Sequence, residues 1–315
     1  MKKMCLLIPA LIGCMQGIGV TEPPDLAFKV SGDGTYIFDT GVLRGVLRSK
    51  ERSVGLLSLE HIPSGCHLDG NEYGIFSHYR VFTAGKRYGV GAWDWPGVST
   101  LNPDGSVEVR WPAAEGRPFT LKALYRFSAP DTLDLTTSVT ARETLRRFES
   151  FLASYFSESF PDTFMCGGPD NAPVFQTTEL EKGYWQAFPC NAGASAIIQD
   201  GRWNIEPNPV DWVLRDKAPR PLALRRDTKT GVCAVVMAPP EDCFAVMTPY
   251  AGEGHRSLYL SLFGKDIQPG ETASARARLV VRPLNKNEEA IALYAAYQDN
   301  SGRDQNGASL SVECQ

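Results

Sequence analysis

The sequence predicts an all-β fold, a large antiparallel β-sandwich with one short C-terminal helix. Three observations lead there. Short segments rich in β-branched and aromatic residues follow one another, separated by turn residues, with 29 glycines and 22 prolines in 315 residues. Several of these segments alternate apolar and polar side chains with the period of two that a half-buried strand requires. Only one stretch, near the C-terminus, carries an apolar set at helical spacing, so the βαβ units of a parallel sheet are missing.

The strands are justified in chain order. After a Pro-containing linker at 21–33, segments 35–38 (Thr-Tyr-Ile-Phe) and 54–59 (Val-Gly-Leu-Leu-Ser-Leu) have strand composition. Asn102-Pro103-Asp104-Gly105 is a turn sequence. In the segment after it, Val107, Val109 and Trp111 share one face, and Glu108 and Arg110 the other. Segments 119–127 and 132–140 are two long strands joined by Ser128-Ala129-Pro130-Asp131, and 148–156 is a third. Segments 232–237 and 243–248 read as a hairpin around 238–242. In 257–263 the leucines face the core, with Tyr259 and Ser261 opposite, and 272–281 follows the Gln268-Pro269-Gly270-Glu271 turn. Ala290, Ile291, Leu293, Tyr294 and Tyr297 share a helical face in 288–298, ended by Asn300 and Gly302. The expected organisation is one domain over 34–300 and a polar tail over 301–315.

The N-terminus reads as an export signal over 1–20. Lys2 and Lys3 precede the apolar run Leu6-Leu7-Ile8-Pro9-Ala10-Leu11-Ile12, which is too short to span a bilayer. Leu11-Ile12-Gly13-Cys14 resembles a bacterial lipobox, which implies acylation of Cys14 and a lipid anchor. The other reading is an ordinary signal cleaved between Gly17 and Val20. Either way the chain is expected outside the cytoplasm, in the periplasm or cell envelope. Six cysteines remain beyond the signal: Cys66, Cys166, Cys190, Cys233, Cys243 and Cys314. Of these, Cys233 and Cys243 would approach across the 232–248 hairpin and could form a disulfide; buried free thiols are the other reading. A formal net charge of −4 without a basic stripe argues against a nucleic-acid binder. No glycine-rich phosphate loop is present, which argues against a nucleotide enzyme.

The segments 133–142 (Leu-Asp-Leu-Thr-Thr-Ser-Val-Thr-Ala-Arg) and 145–156 (Leu-Arg-Arg-Phe-Glu-Ser-Phe-Leu-Ala-Ser-Tyr-Phe) are joined by a short polar stretch. Together with the 258–263 strand, the Pro269-Gly270-Glu271-Thr272 turn and the 273–281 strand, they resemble the galactose-mutarotase-like β-supersandwich superfamily. The resemblance spans about residues 34–283. It implies a supersandwich fold and action on, or binding of, carbohydrate, since members include aldose epimerases and domains of polysaccharide lyases and glycoside hydrolases. The catalytic motifs of true aldose epimerases are not matched, which argues against simple mutarotation.

Candidate chemistry centres on the histidines, of which there are four. His78 and Arg80 would share one face of the strand around 76–82, with Tyr79 on the other. A fixed cation there favours a neutral imidazole base, and the arginine can hold a sugar carboxylate or hydroxyls. His255 lies in a glycine-containing loop with Glu253 two residues away, a pair that can divide acid and base roles. These four, His78, Arg80, Glu253 and His255, are the candidate catalytic residues. Trp93 and Trp95 share a parity and would form an aromatic platform for sugar C–H faces if extended, with Asp94 opposed; Tyr79, Asp94, Arg110 and Glu158 are the further candidate substrate contacts. No metal and no cofactor are expected, and the partner is an oligo- or polysaccharide met by a monomer. Two readings stay open: an acid–base enzyme (epimerase, lyase or hydrolase) and a non-catalytic carbohydrate-binding protein.

Overall fold

A computed structural model describes residues 24–169 and 171–309, with side chains as far as 299. The export signal, Cys14 and Cys314 lie outside the described residues. The long strands form two large sheets. From edge to edge the nine-stranded sheet runs Val174–Thr177, Asp162–Gly167, Leu222–Arg226, Val232–Met237, Thr272–Pro283, Thr132–Ala141, Phe119–Ala129, Val107–Trp111 and Val98–Leu101. The seven-stranded sheet runs Trp212–Leu214, Trp185–Pro189, Cys243–Pro249, Ser257–Ile267, Leu145–Tyr155, Ser77–Thr83 and Lys86–Arg87. Apart from the parallel pair Trp185–Pro189 with Trp212–Leu214, neighbours in both sheets are antiparallel. A five-stranded sheet from Lys29–Gly32 to Cys66–His67 precedes them. Its first strand falls in the stretch expected to be linker, because residues 29–32 pair with Thr35–Asp39.

Period-two alternation decides how the layers stack. Leu258, Leu260 and Leu262 of the seven-stranded sheet meet Leu133, Leu135, Ala275, Ala277 and Leu279 of the nine-stranded sheet in one dry core. Val107, Val109 and Trp111 join it, as their parity requires, and Arg110 is left exposed. Burying each large aliphatic or aromatic side chain here is worth about 1.5–3 kcal/mol. The turn before that strand uses Gly105 at φ +81°, where a Cβ would also sit 2.6 Å from the Ala27 methyl. The other face of the nine-stranded sheet carries Leu222, Leu224, Cys233 and Val235, covered by Ala290, Tyr294 and Tyr297 of the helix Glu289–Ser309. That helix continues past Asn300 and Gly302 into the expected tail, since interior glycine weakens a helix by only about 1 kcal/mol.

The expected hairpin around residues 238–242 is a crossing instead. Val232–Met237 lies in the nine-stranded sheet and Cys243–Pro249 in the seven-stranded one. Asp242 fixes the crossing by accepting hydrogen bonds from Arg276 N at 3.0 Å and Arg276 Nε at 2.7 Å. Cys233 and Cys243 therefore sit in different layers, and the thiol that Cys243 meets belongs to Cys190. All five described cysteines are free.

Candidate functional site

The outer face of the seven-stranded sheet is not left to water. Phe82, Phe151, Ala153, Tyr155, Met247 and Tyr259 project from it into a second apolar cluster, completed by Trp93, Trp203 and Trp212. Loops rise around these residues and enclose a cleft of about 480 Å³. Of the chain's six tryptophans, Trp93, Trp185, Trp203 and Trp212 line it, with Tyr73, Tyr79, Tyr155 and Tyr259. Polar groups are few: Arg52, Arg80, Asp94, Asn208 and His255.

Tyr79 and Arg80 reach the cleft together because their strand bulges. Val81 pairs with Ser150 and His78 with Leu152, so two residues, Tyr79 and Arg80, stand opposite the single residue Phe151. An extra residue in one strand re-aims the side chains on either side of it. The expected grouping of His78 with Arg80 fails for this reason. His78 points inward between the sheets, where Nε2 lies 2.9 Å from Thr137 Oγ1 and the ring packs 5.2 Å from Trp111. Burial without a charged partner pushes its imidazole down to about 3. His78 is thus a neutral core residue with no path to the cleft, and its removal from the site is the main correction to the sequence reading.

Arg80 is itself only 4% exposed. Its Nη2 donates to Asn208 O at 2.8 Å and, more weakly, to Tyr79 Oη at 3.4 Å. The guanidinium lies 5.0 Å from the Tyr79 ring and 5.2 Å from the Trp203 ring. Trp93 stacks on Tyr79 at 4.2 Å and on Tyr73 at 5.2 Å. A Cβ on Gly91 would lie 2.8 Å from Trp93 Nε1, so this glycine leaves room for the indole. Asp94 accepts from Trp93 Nε1 at 2.9 Å and pairs with Arg52 at 3.3 Å, which fixes the rim.

On the opposite rim Glu253 is buried and holds His255. It accepts from His255 N at 2.7 Å, and its other oxygen lies 2.5 Å from Nδ1. The His255 side chain is about half exposed, at 54%, and lines the cleft. A carboxylate on Nδ1 fixes ring orientation and leaves Nε2 available for proton transfer. Between the rims Tyr155 and Tyr259 contact one another. Burial pushes Tyr259 up to about 12 and Tyr155 well above its ordinary value, so both are hydroxyl donors at neutral pH.

The remaining sequence candidates lie elsewhere. Residues Ala92–Asp94 form a 3-10 turn, so Trp93 and Trp95 do not share a face. Trp95 packs 6.0 Å from Phe119 beneath Arg117. Arg110 is on the solvent face of the nine-stranded sheet, where it pairs in register with Lys122 and Val98. Glu158 is exposed in the turn after Leu145–Tyr155. Neither belongs to the cleft. Among the described residues no group of three or more His, Cys, Asp or Glu is arranged to hold a metal. Sequence reasoning missed Arg52, Tyr73 and Tyr155. The usable signal for Tyr155 was parity, because it shares the outer face with Phe151 and Tyr259 across paired strands.

No family model and no curated protein matches the sequence. Solved structures do. One is a putative aldose 1-epimerase from Escherichia coli K12, at 15% identity and TM-score 0.47, with 80% of this chain and 100% of that one covered. Another is galactose 1-epimerase from Lactobacillus acidophilus, at 9% identity and TM-score 0.47, covering 82% and 98%. A third is an alpha-N-acetylgalactosaminidase from Bifidobacterium bifidum, at 12% identity and TM-score 0.48, covering 87% of this chain and 39% of that one. By their names, the first two of these solved structures are 1-epimerases and the third is an alpha-N-acetylgalactosaminidase.

Proposed function

We propose that this is an exported carbohydrate-active enzyme that uses acid–base chemistry in the cleft on the outer face of the seven-stranded sheet. The observation that carries the reading is convergence: aromatic walls and proton-transfer groups meet in one recess of about 480 Å³. Sugar rings present apolar C–H faces that pack on indole and phenol rings, while their hydroxyls need a few fixed polar groups. Trp93, Tyr79 and Trp203 supply the first requirement, and Asp94, Arg80 and Asn208 the second. His255, oriented by Glu253, is the group suited to take or give a proton at its Nε2. Tyr155 and Tyr259 stay protonated and can donate to a departing or ring oxygen. The lysines and apolar run before residue 15 support export.

The test is turnover. Oligo- and polysaccharides are screened with the protein lacking its first 20 residues, beside His255→Ala and Tyr259→Phe variants. Loss of a general acid or base lowers kcat by about 100-fold or more. Turnover unchanged in both variants would falsify the catalytic assignment. Saccharide binding with no turnover of any substrate would leave the carbohydrate-binding reading, for which the aromatic walls suffice. A mass measurement of the N-terminus of protein made in a bacterial host decides between a lipid-bearing Cys14 and a soluble cleaved form.

A further inference from the structure

Arg80 is a buried cation that lines the cleft. Among the described residues no carboxylate pairs with it, and its Nε and Nη1 have no hydrogen-bond partner. Two further buried donors of the cleft, Trp203 Nε1 and Trp212 Nε1, also lack an acceptor. Unpartnered buried donors are uncommon in folded proteins, and a charged one is the most costly. These four nitrogens belong to three residues that line one cleft.

The surroundings strengthen the charge argument. Arg87 lies near Arg80, and its guanidinium is pulled down by burial and then by the Arg80 charge. Arg87 spends its own donors on backbone carbonyls, at Gly89 O (3.0 Å), Ile205 O (3.3 Å), Val90 O (2.6 Å) and Pro207 O. It clamps the loop that carries Asn208 and brings no anion. The nearby carboxylates are engaged: Asp94 by Arg52 and Trp93, and Glu253 by His255. Glu206 acts on Arg87 only through its charge. The recess thus holds a buried guanidinium without a carboxylate partner among the described residues and is walled by rings.

We infer that the cleft takes an acidic saccharide, with the carboxylate of a uronic acid residue received by the Arg80 guanidinium and the ring stacked on the aromatic wall. This rests on the carbohydrate reading above and narrows its substrate class. A carboxylate supplies the acceptors that Arg80 lacks and balances its charge, whereas a neutral sugar hydroxyl satisfies donors but leaves the charge unmatched.

The experiment is calorimetric titration with tetrasaccharides of galacturonate, mannuronate and guluronate, each as free acid and as methyl ester, beside neutral galacto- and manno-tetraoses. The expected result is at least one free acid binding about 10-fold or more tighter than its own ester, with affinity falling as salt rises. Arg80→Gln should lose that preference, so that the free acid and its own ester bind with equal affinity. The ester comparison uses the unaltered protein, so it decides the matter even where Arg80→Gln fails to fold. Equal affinity for acid and ester, or binding of the neutral tetraoses alone, overturns the acidic-saccharide inference and leaves the carbohydrate reading standing. Binding of none of these saccharides overturns both.

Discussion

At the scale of single residues, the chain separates two arginines and two histidines into opposite roles. Arg87 is bonded to four backbone carbonyls and holds loops in place, while Arg80, which lines the cleft, has two buried donors without a partner. His255 is half exposed and steered by a carboxylate, while His78 is sealed between sheets. Composition made the histidines candidates, yet nothing in the sequence near His78 shows the bulge that turns it inward, because a bulge depends on the partner strand. Burial of neutral His78 has a consequence for acid stability. Its folded pKa, about 3, is below the unfolded value of 6.5. Between those two values the unfolded chain binds the extra proton, so stability is full above pH 6.5 and falls as pH falls. By pH 5 the loss from this one residue is about 2 kcal/mol. Urea unfolding of wild type and His78→Gln at pH 7.5 and pH 5 measures it. The wild type should lose about 2 kcal/mol more than the variant across that step, and equal losses would mean that His78 is not buried as a neutral group.

At the scale of elements, parity was legible and register was not. The alternation of Val107, Val109 and Trp111, and of the leucines at 258–262, reads directly as the inner face of each sheet. The Ala92–Asp94 turn was not legible, because three residues of 3-10 geometry leave no periodic trace, and Trp95 was placed in the site by mistake. The crossing at 238–242 reads like a hairpin in sequence, since turn residues between two apolar strands do not say which sheet each strand joins. The C-terminal helix was found from its apolar spacing, and its job is to cover the outer face of the nine-stranded sheet, on the far side of the sandwich from the cleft. Tyr294 is buried in that contact. Truncation to Ala should cost about 3 kcal/mol through the cavity left behind, while saccharide binding at 25 °C stays at the wild-type value. Chemical denaturation reads the first quantity and titration the second. A fall in affinity without loss of stability would tie the helix to the site.

At the scale of the molecule, two sheets share one core, and the face of the seven-stranded sheet that looks away from it carries loops and ionisable groups around a recess. The all-β sandwich was legible because strand patterning and turn chemistry agree along most of the chain. The position of the cleft was not, because it is assembled from segments near residues 52, 73, 93, 151, 203, 212, 255 and 259 that only the sheet order brings together. Tryptophan fluorescence during titration with a saccharide that the protein binds reports on that assembly most directly, since four of the six indoles line the cleft. If the cleft is the saccharide site, emission changes saturably with the same Kd as calorimetry, and Trp93→Ala weakens binding by about 10-fold. Saccharide binding with unaltered emission, and with full affinity in Trp93→Ala, would place the site elsewhere.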